Sequence, residues 1–394
     1  MPAIKAFTGL RNDVTAERFA EGDLARADNV NLDNTGKLLT RSGYLKRING
    51  AFHSLWSNNT ICLFVKGAEL HQLQSDLITS TVIRNDLSLG FLMSYREVNG
   101  FIYYSNSKQT GIFSAAGNRT WGLAVPIFQP LANAINGSLK QGTYQYALTY
   151  IRRDGQESGT GIADRIVLKD NEAINFYDIP VSSDPDVSHK ILYVSAQNGD
   201  VLYRATTLFN NVTSAVFNGG ELRSPLSTQF KQQAPAGHLV SYFDGYMYVA
   251  SDKFILYSDT YGYELFDMRD YLPFDSMVTM FAPVQDGVFI GTENRIYFVQ
   301  GKDPKQFILT IKANYGVVAN TLSYVSSALV KGLEQASNEP IPMFTAKNGI
   351  CCGLSGGQFI NFTENRFNFA EAKQGASIAI NNNGNNQYLT VLAS

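Results

Sequence analysis

Short apolar runs separated by polar turns follow one another twice between residues 237 and 301. Asp244-Gly245 divides the first two runs of one copy, and Asp286-Gly287 divides those of the next. Asp-Gly between β-branched or aromatic runs is a strong hairpin signal, because both turn positions need a positive φ that Asp and Gly tolerate. The pattern therefore predicts a three-stranded antiparallel unit that is repeated. The runs are 239–243, 246–250 and 254–258 in the first copy, then 278–284, 288–291 and 295–299 in the second.

The same marker, a glycine or asparagine turn followed by an apolar run, recurs along the chain. It stands near residues 59, 100, 245, 287, 349 and 384. Most steps between these positions are close to the roughly 40–50 residues that a four-stranded propeller blade needs. The step after 287 contains a polar excursion at 331–340, and the step after 100 is about 100 residues too long. We therefore predict an all-β chain built as a roughly six-bladed β-propeller with an insertion in one blade.

The long step is explained by an inserted domain at 137–228. Residues 126–137 carry two prolines and end in Asn-Gly, as a connection between domains should. A long alternating run at 142–151 follows, with further short runs about every ten residues. Short strands at that spacing predict a β-sandwich of fibronectin-III or immunoglobulin-like type. The propeller then consists of 47–136 and 229–394.

Residues 1–46 are interpreted as an arm that closes the propeller ring. Residues 15–27 are expected to form a short helix with Thr15 as its N-cap. Two strands should follow at 29–36 and 37–44, whereas the last marker leaves too few residues for a complete blade. N-terminal strands that complete the C-terminal blade would remove its open edges. The candidate ring-closing residues are Leu38, Leu39, Tyr44, Tyr388 and Leu389.

Composition narrows the range of functions. Hydrophobic residues make up 44% of the 394 positions, enough for a large core, and no apolar run approaches the roughly 18 residues of a membrane span. The N-terminus lacks a signal peptide's apolar segment, so we expect the chain to stay where it is made. The net charge of −2, without long basic runs, argues against a grip on nucleic-acid phosphates. The adjacent Cys351 and Cys352 are expected to be buried small hydrophobes.

A set of strand and turn motifs carries a family resemblance. At the N-terminal end they are ADNVNL at 27–32, Gly36, and LTRSGY at 39–44. Further along they are GTY at 142–144, ESG at 157–159, LYSD at 256–259, YELFD at 263–267, DGVFIGT at 286–292 and NGI at 348–350. Together they resemble the tail proteins of short-tailed bacteriophages, variously called nozzle, tail-tube or head-to-tail stabilisation proteins. The motifs at 142–159 are similar to a sandwich inserted in some of these propellers.

The resemblance implies a non-enzymatic structural protein of the virion, made in the host cytoplasm and placed in the tail. It implies a homo-oligomeric ring of six copies beneath the portal and its adaptor, the head–tail connector. That ring would surround the channel through which the genome is ejected. Tail fibres or spikes are further candidate partners, DNA passes without specific binding, and no cofactor, metal or membrane is expected.

Acidic residues in the predicted connection between two blades allow two interpretations. They are Asp259, Glu264, Asp267, Asp270 and Asp275. Two carboxylates roughly 5–10 Å apart could do acid–base work on a sugar, which would make the chain a propeller-type glycosidase. Solvated loop acids are commoner, the sequence lacks GxSxG, P-loop and GxGxxG motifs, and its four histidines have no metal-ligand spacing. As structural residues, Glu264, Asp267, Asp270 and Asp275 are candidates for a channel lining that repels DNA.

A dense aromatic run supports a third class of function, the binding of carbohydrate or a receptor. It comprises Tyr257, Tyr261, Tyr263, Phe266, Tyr271 and Phe274. Tyrosines are favoured at contact surfaces because one end of the ring is apolar and the other polar. Half or more of these residues are nevertheless expected to pack inside blades. A tail ring should be stoichiometric in virions, whereas a lectin would bind glycans as an isolated chain.

Overall fold

The computed structural model describes residues 6–33, 35–41, 43–221, 223–327, 340–369, 371–382 and 385–393. In these residues the regular structure consists of β-strands and short 3-10 helices, without an α-helix, so the predicted all-β class is confirmed. The turn marker at Gly384 and most of the excursion at 331–340 lie outside the described residues. By its internal contacts the chain divides into two compact units. Unit 1 is Met1–Leu89, Ala250–Ile255 and Leu272–Ser394, and unit 2 is Gly90–Val249 and Leu256–Tyr271.

The N-terminal segment of unit 1 contains four very short strands. They are β1 Gly9–Leu10, β2 Asp23–Leu24, β3 Val30–Leu32 and β4 Leu38–Thr40. Strands β1 and β2 pair in parallel, and β3 and β4 form the predicted hairpin. The Asp33 carboxylate stabilises its turn by accepting hydrogen bonds from the backbone N–H groups of Thr35 and Lys37.

The helix predicted over 15–27 is wrong. Only Ala16–Arg18 forms a single 3-10 turn, and Thr15 makes no side-chain cap. The turn ends at Phe19, whose backbone is extended with φ −65° and ψ 135°, and Gly22, with a φ of +95°, is also outside the helical region. The Asp23 carboxylate also accepts from the Ala20 N–H. These contacts fold the segment as an irregular loop.

Two four-stranded antiparallel sheets follow, each with its strands in sequence order. Sheet 1, in unit 1, consists of β5 Phe52–Ser57, β6 Cys62–Lys66, β7 Glu69–Leu73 and β8 Ser80–Arg84. Sheet 2, in unit 2, consists of β9 Ser94–Val98, β10 Phe101–Ser105, β11 Thr110–Ser114 and β12 Gly117–Arg119. Asn99-Gly100, one of the sequence markers, turns between β9 and β10 with positive φ at both residues.

The next seven strands of unit 2 form two sheets around one apolar core. They are β13 Leu131–Leu139, β14 Gly142–Arg152, β15 Asp164–Leu168, β16 Glu172–Tyr177, β17 Val187–Ser195, β18 Leu202–Phe209 and β19 Ala215–Phe217. The sheet orders are β13-β16-β19 and β15-β14-β17-β18. Leu148 and Leu192 of one sheet share their core with Ile174 and Phe176 of the other. Strand β13 begins at Leu131, ahead of the boundary predicted at 137.

Three further sheets repeat the arrangement of sheets 1 and 2. Sheet 3 has the order β20-β24-β23-β22-β21, with β20 Lys231–Gln232, β21 Leu239–Phe243, β22 Tyr246–Ser251, β23 Phe254–Asp259 and β24 Gly262–Pro273. Sheet 4 consists of β25 Val278–Val284, β26 Gly287–Thr292, β27 Ile296–Gln300 and β28 Ile308–Ala313. Sheet 5 consists of β29 Ser323–Ser326, β30 Pro340–Ala346, β31 Gly349–Gly353 and β32 Phe359–Asn361. The described 3-10 turns between these strands are Pro304–Gln306 and Ser355–Gly357.

The two Asp-Gly turns of the repeated unit differ in their backbone. Asp244 and Gly245 both have positive φ, as the hairpin signal predicts. Gly287 instead lies in strand β26, paired with Val284, and its φ is not positive. A Cβ at Gly287 would lie 2.3 Å from the carbonyl oxygen of Val299, so this glycine is needed for the close approach of two strands.

Each unit has its own core between sheets. In unit 2, Ile112 of sheet 2 shares a core with Met247 of sheet 3 and with Trp121. In unit 1, Phe289 of sheet 4 shares a core with Phe344 of sheet 5. Cys351 and Cys352 of β31 are fully buried and free, which confirms the prediction that they act as small hydrophobes. The last strands, β33 Gln374–Asn382 and β34 Asn385–Ala393, form a two-stranded sheet.

Candidate functional site

The predicted acidic connection is largely a strand. Glu264, Asp267 and Asp270 lie on β24, the longest strand of sheet 3, so their placement in a loop was wrong. Along this strand Glu264 and Phe266 are buried, while Leu265 is only partly buried. Five acids close together in the sequence thus have different environments.

A buried cluster of two arginines and one glutamate joins three segments of unit 2. The Arg119 guanidinium contacts both Glu264 oxygens, with Nη1 to Oε2 at 2.9 Å and Nη2 to Oε1 at 2.8 Å. Arg152, the last residue of β14, donates from Nη2 to Glu264 Oε2 at 2.6 Å. Its own side chain is 3% exposed and that of Glu264 is 9% exposed. The glutamate therefore connects the end of sheet 2, the two-sheet insertion and sheet 3.

Backbone groups complete the environment of this cluster. The Gly122 N–H donates to Glu264 Oε2 at 3.1 Å, and Trp121 Nε1 donates to the Tyr263 carbonyl at 2.7 Å. Gly122 has a φ of +87°, and a Cβ there would lie 2.6 Å from the Glu264 carbonyl oxygen. Glycine at this position thus permits the close approach of the loop to β24.

Burial and pairing act in opposite directions on Glu264. Burial raises the pKa of Glu264 to about 7, although Arg152 and the Gly122 N–H favour the charged form. Arg152 also holds Asp154, with Nε to both carboxylate oxygens at 3.1 Å. The Arg152 Nη1 atom is buried without a hydrogen-bond partner in the described chain. The cluster is tightly built, yet one of its donors is unsatisfied.

The other predicted acids are also paired or bonded. Asp267 is 8% exposed and accepts two hydrogen bonds from the Arg269 guanidinium, which lowers the pKa of Asp267 to about 2. Lys231 Nζ contacts Asp259 at 2.5 Å. Asp275, in unit 1, accepts from the Thr292 hydroxyl at 3.2 Å and lies 3.7 Å from Arg295 Nε.

These placements bear on the predicted channel lining. A lining that repels DNA needs exposed carboxylates, and Glu264 and Asp267 are buried beside arginines. Asp270 is half-buried and Asp275 is exposed. The lining stays a prediction, and in the structure only Asp270 and Asp275 have the exposure that it requires.

Four of the five predicted ring-closing residues lie in two separate hairpins of unit 1. Leu38 and Leu39 of β4 pair with β3, Tyr388 and Leu389 of β34 pair with β33, and Tyr44 is 81% exposed outside any strand. The Tyr388 hydroxyl hydrogen-bonds Thr345 and Ser377. Within the described residues no ladder joins the two hairpins. Ring closure through these residues stays a prediction.

The N-terminal segment contacts residues 366–368 of unit 1. Asn12 Nδ2 donates to the Asn368 carbonyl at 2.9 Å, and the Asn368 N–H donates to Asn12 Oδ1 at 2.6 Å. Arg366 Nη2 lies 3.0 Å from Asp23 Oδ1 and also donates to the Thr8 carbonyl. The N-terminal segment is therefore fastened by its irregular loop, and not by the predicted strands.

The aromatic run is divided between core and surface. Tyr257 and Phe266 are buried, Tyr261 is 75% exposed and Tyr271 is 46% exposed. The remaining two, Tyr263 and Phe274, are half-buried. The exposed pair does not by itself distinguish a contact surface from ordinary surface tyrosines.

A buried lysine was missed by the sequence analysis. Lys190 of β17 is fully buried, and its Nζ donates to the Pro180 carbonyl at 2.7 Å. Burial lowers the pKa of Lys190 to about 8. Because the ammonium satisfies a backbone carbonyl next to the insertion's core, we assign it a structural role.

Among the described residues, no group of three or more His, Cys, Asp or Glu side chains is arranged to hold a metal ion. The same part of the chain contains no helix long and apolar enough to cross a membrane. No protein-family profile matches the chain, and no curated protein is similar to it in sequence.

Proposed function

We propose that this chain is a structural component of a short-tailed bacteriophage tail, a nozzle protein that forms a ring around the DNA-exit channel. The ring would be a hexamer below the portal adaptor and would carry no catalytic activity. Its sheets would be the blades of a β-propeller, and its two-sheet insertion would be the sandwich seen in the resembling proteins.

One observation carries this proposal. Sheets 1, 2, 4 and 5 are antiparallel units of four strands in sequence order, and sheet 3 is the same unit, β21 to β24, with the short β20 added beside β24; the two-sheet insertion lies between sheets 2 and 3. An up-and-down sheet of four strands, repeated along the chain, is the unit from which propellers are built. The order of blades and insertion is the one that the motif resemblance implies.

The environment of the acids supports a structural role over a glycosidase. Glu264 is buried between two arginines, and Asp267 and Asp259 each face one basic side chain. A glycosidase acid must reach the sugar oxygen and its partner carboxylate must reach the sugar ring. Carboxylates held in ion pairs suit a rigid scaffold better than catalysis.

The mechanism would be mechanical. Rigid propellers side by side would form the wall, and the N-terminal arm and the insertion would contact neighbouring subunits, the adaptor, and fibres or spikes. DNA would slide past without specific binding, since each phosphate contact adds salt-sensitive affinity that would slow ejection.

The proposal is tested in the viral particles that the encoding genome produces. Quantitative mass spectrometry of purified particles should find the chain in a fixed ratio to the portal protein, and labelling its C-terminus should mark the tail in electron micrographs. The isolated chain should show no affinity for duplex DNA in the range of about 10⁻⁴–10⁻⁶ M typical of non-specific binders at physiological salt. Absence from particles, combined with binding to a glycan array, would replace the nozzle with the carbohydrate-binding alternative.

A further inference from the structure

An open apolar groove of about 850 Å³ lies in the insertion of unit 2. Phe128, Leu131 and Ile162 line it, and they are 52%, 47% and 81% exposed. Large apolar side chains left exposed together mark a contact surface more often than isolated ones do. The groove is therefore a candidate docking site.

The groove has an acidic lining that is hydrogen-bonded to the insertion. Gln129, on its floor, accepts from the Leu148 N–H at 2.8 Å and donates to the Thr160 hydroxyl at 2.9 Å, which fixes the floor to the insertion. The described lining residues include two exposed carboxylates, Asp164 and Asp178, and no basic side chain. A complementary partner would be an apolar segment with adjacent positive charges.

Two edge strands border this groove. Leu131 begins β13, at the edge of one sheet, and Asp164 begins β15, at the edge of the other. Edge strands present unpaired backbone N–H and C=O groups that an extended segment can use. An extended peptide thus suits the groove better than a compact surface.

This chain contains such a segment in unit 1. Tyr44 and Leu45 are 81% and 74% exposed and lie outside any strand, and Lys46 and Arg47, which follow, are also exposed. The Tyr44 ring is held by Arg41, whose Nη2 donates to the tyrosine hydroxyl at 2.6 Å. Two apolar side chains followed by two cations are the complement of an apolar groove with two carboxylates.

We propose that residues 44–47 of one copy dock in the groove of a second copy, with Tyr44 and Leu45 against its apolar walls and Lys46 and Arg47 beside Asp164 and Asp178. The proposal rests on the proposed function in that it names the contact between neighbouring subunits of the ring. Because the two surfaces differ, the contact is head-to-tail, and every copy both gives a segment and receives one. Such a heterologous contact builds a closed ring when its rotation closes.

The test exchanges charges between the two surfaces in the full-length chain. One variant carries Lys46→Glu with Arg47→Glu, and the other carries Asp164→Lys with Asp178→Lys. Each alone places like charges together and should weaken self-association at least about tenfold in analytical ultracentrifugation. An equimolar mixture should restore association, because the acidic segment of the first variant meets the basic groove of the second. The second variant's segment and the first variant's groove keep their natural, opposite charges.

Controls separate this contact from folding and from net charge. Lys347→Glu with Lys373→Glu changes the net charge of the chain as the segment variant does and should leave association unchanged. Circular dichroism and the melting midpoint report folding. Since Asp164 also interacts with the Tyr146 hydroxyl, Asp178→Lys alone provides a second groove variant.

The outcomes are distinct. A wild-type chain that stays monomeric at every soluble concentration, or associates equally well with reversed charges, overturns the contact. Loss that the mixture does not restore, in variants that still fold, overturns the pairing of this segment with this groove. The nozzle proposal is judged separately, by the presence of the chain in viral particles.

Discussion

Two arginine–carboxylate junctions fasten distant parts of this chain, and they differ in burial. In unit 2, Arg152 and Glu264 are 112 positions apart, and their side chains are 3% and 9% exposed. In unit 1, Arg366 and Asp23 are 343 positions apart, and the arginine side chain is 36% exposed although that of Asp23 is only 4% exposed. The first junction lies among buried elements, and the second holds an N-terminal loop to the segment before β33.

Distance along the chain therefore does not determine how much an ion pair contributes to the free energy of unfolding. Removing one partner of a buried pair leaves the other charge without solvent or counter-charge, which costs several kcal/mol, whereas exposed pairs contribute little. We therefore expect the Glu264 junction to hold unit 2 rigid and the Arg366 junction to act as a surface fastening.

The largest effect is expected for Glu264→Ala. The change removes the carboxylate that Arg119 and the buried Arg152 share and leaves them only the half-exposed Asp154, so the free energy of unfolding at neutral pH should fall by up to about 3–5 kcal/mol. Urea denaturation measures this loss. Glu293→Ala removes an exposed glutamate and should stay within about 0.5 kcal/mol of wild type. Equal midpoints for both variants would show that the buried cluster does not hold the unit together.

The second-largest effect is expected from the pH dependence of stability that the Glu264 carboxyl group causes. The pKa of Glu264 is raised to about 7 from an ordinary value of 4.5, so the folded state binds a proton more tightly than the unfolded state between these values. Stability contributed by this group is therefore full below about pH 4.5 and is lost as the pH rises through about 7, by at most about 3 kcal/mol. Glu264→Gln, which cannot titrate, should lack this part of the slope in urea midpoints measured across the window. Parallel slopes for wild type and variant would mean that the arginines keep the group charged throughout.

Two glycines of unit 2, Gly159 and Gly161, are expected to differ in how well they tolerate replacement by alanine. A Cβ at Gly159 would lie 1.7 Å from the Lys231 carbonyl oxygen, whereas one at Gly161 would meet nothing within 4 Å. Gly159→Ala should cost about 1–3 kcal/mol by overpacking, and Gly161→Ala should range from no change to a gain of about 1 kcal/mol. Thermal melting of the two variants in parallel measures the difference, and the reverse order would contradict the close packing of β20 on this loop.

The smallest effect is expected for Arg366→Ala. Asp23 keeps the Thr8 hydroxyl at 2.7 Å and the Ala20 N–H at 3.0 Å, so its carboxylate stays bonded. The stability loss should be less than about a quarter of that caused by Glu264→Ala. Arg26→Ala, which breaks a pair exposed on both sides, is the matched control and should be neutral. A loss as large as that of Glu264→Ala would remove the distinction between the two junctions.

Local features of the fold could be predicted from the sequence because local interactions determine them. Strand β21 lies where its apolar run predicted it, and Asp244-Gly245 turns with the predicted positive φ. The helix at 15–27 failed because Gly22 and Asp23 make contacts with residues outside the segment. The residues around Glu264 form strand β24 instead of the predicted connection, because Phe266 packs in the core between sheets 2 and 3.

The buried cluster could not be predicted, for a physical reason. Arg119 and Arg152 are 145 and 112 positions from Glu264, and nothing near any of the three signals a partner. A glutamate among aromatic residues gives the same sequence pattern whether its side chain is exposed to solvent or paired with two arginines. The one available signal was Gly122 beside Trp121, which permits a close approach of backbone but does not say to which strand.

The Arg152–Glu264 junction also has a consequence for the order of events during synthesis. At about 5–20 residues per second, roughly 6–22 s pass between the emergence of Arg152 and that of Glu264. The strands of the insertion are all complete in that interval, whereas β24 is not. Until sheet 3 arrives, Asp154 is the carboxylate that is already available to the Arg152 guanidinium, and the later pairing with Glu264 ties the insertion to sheet 3.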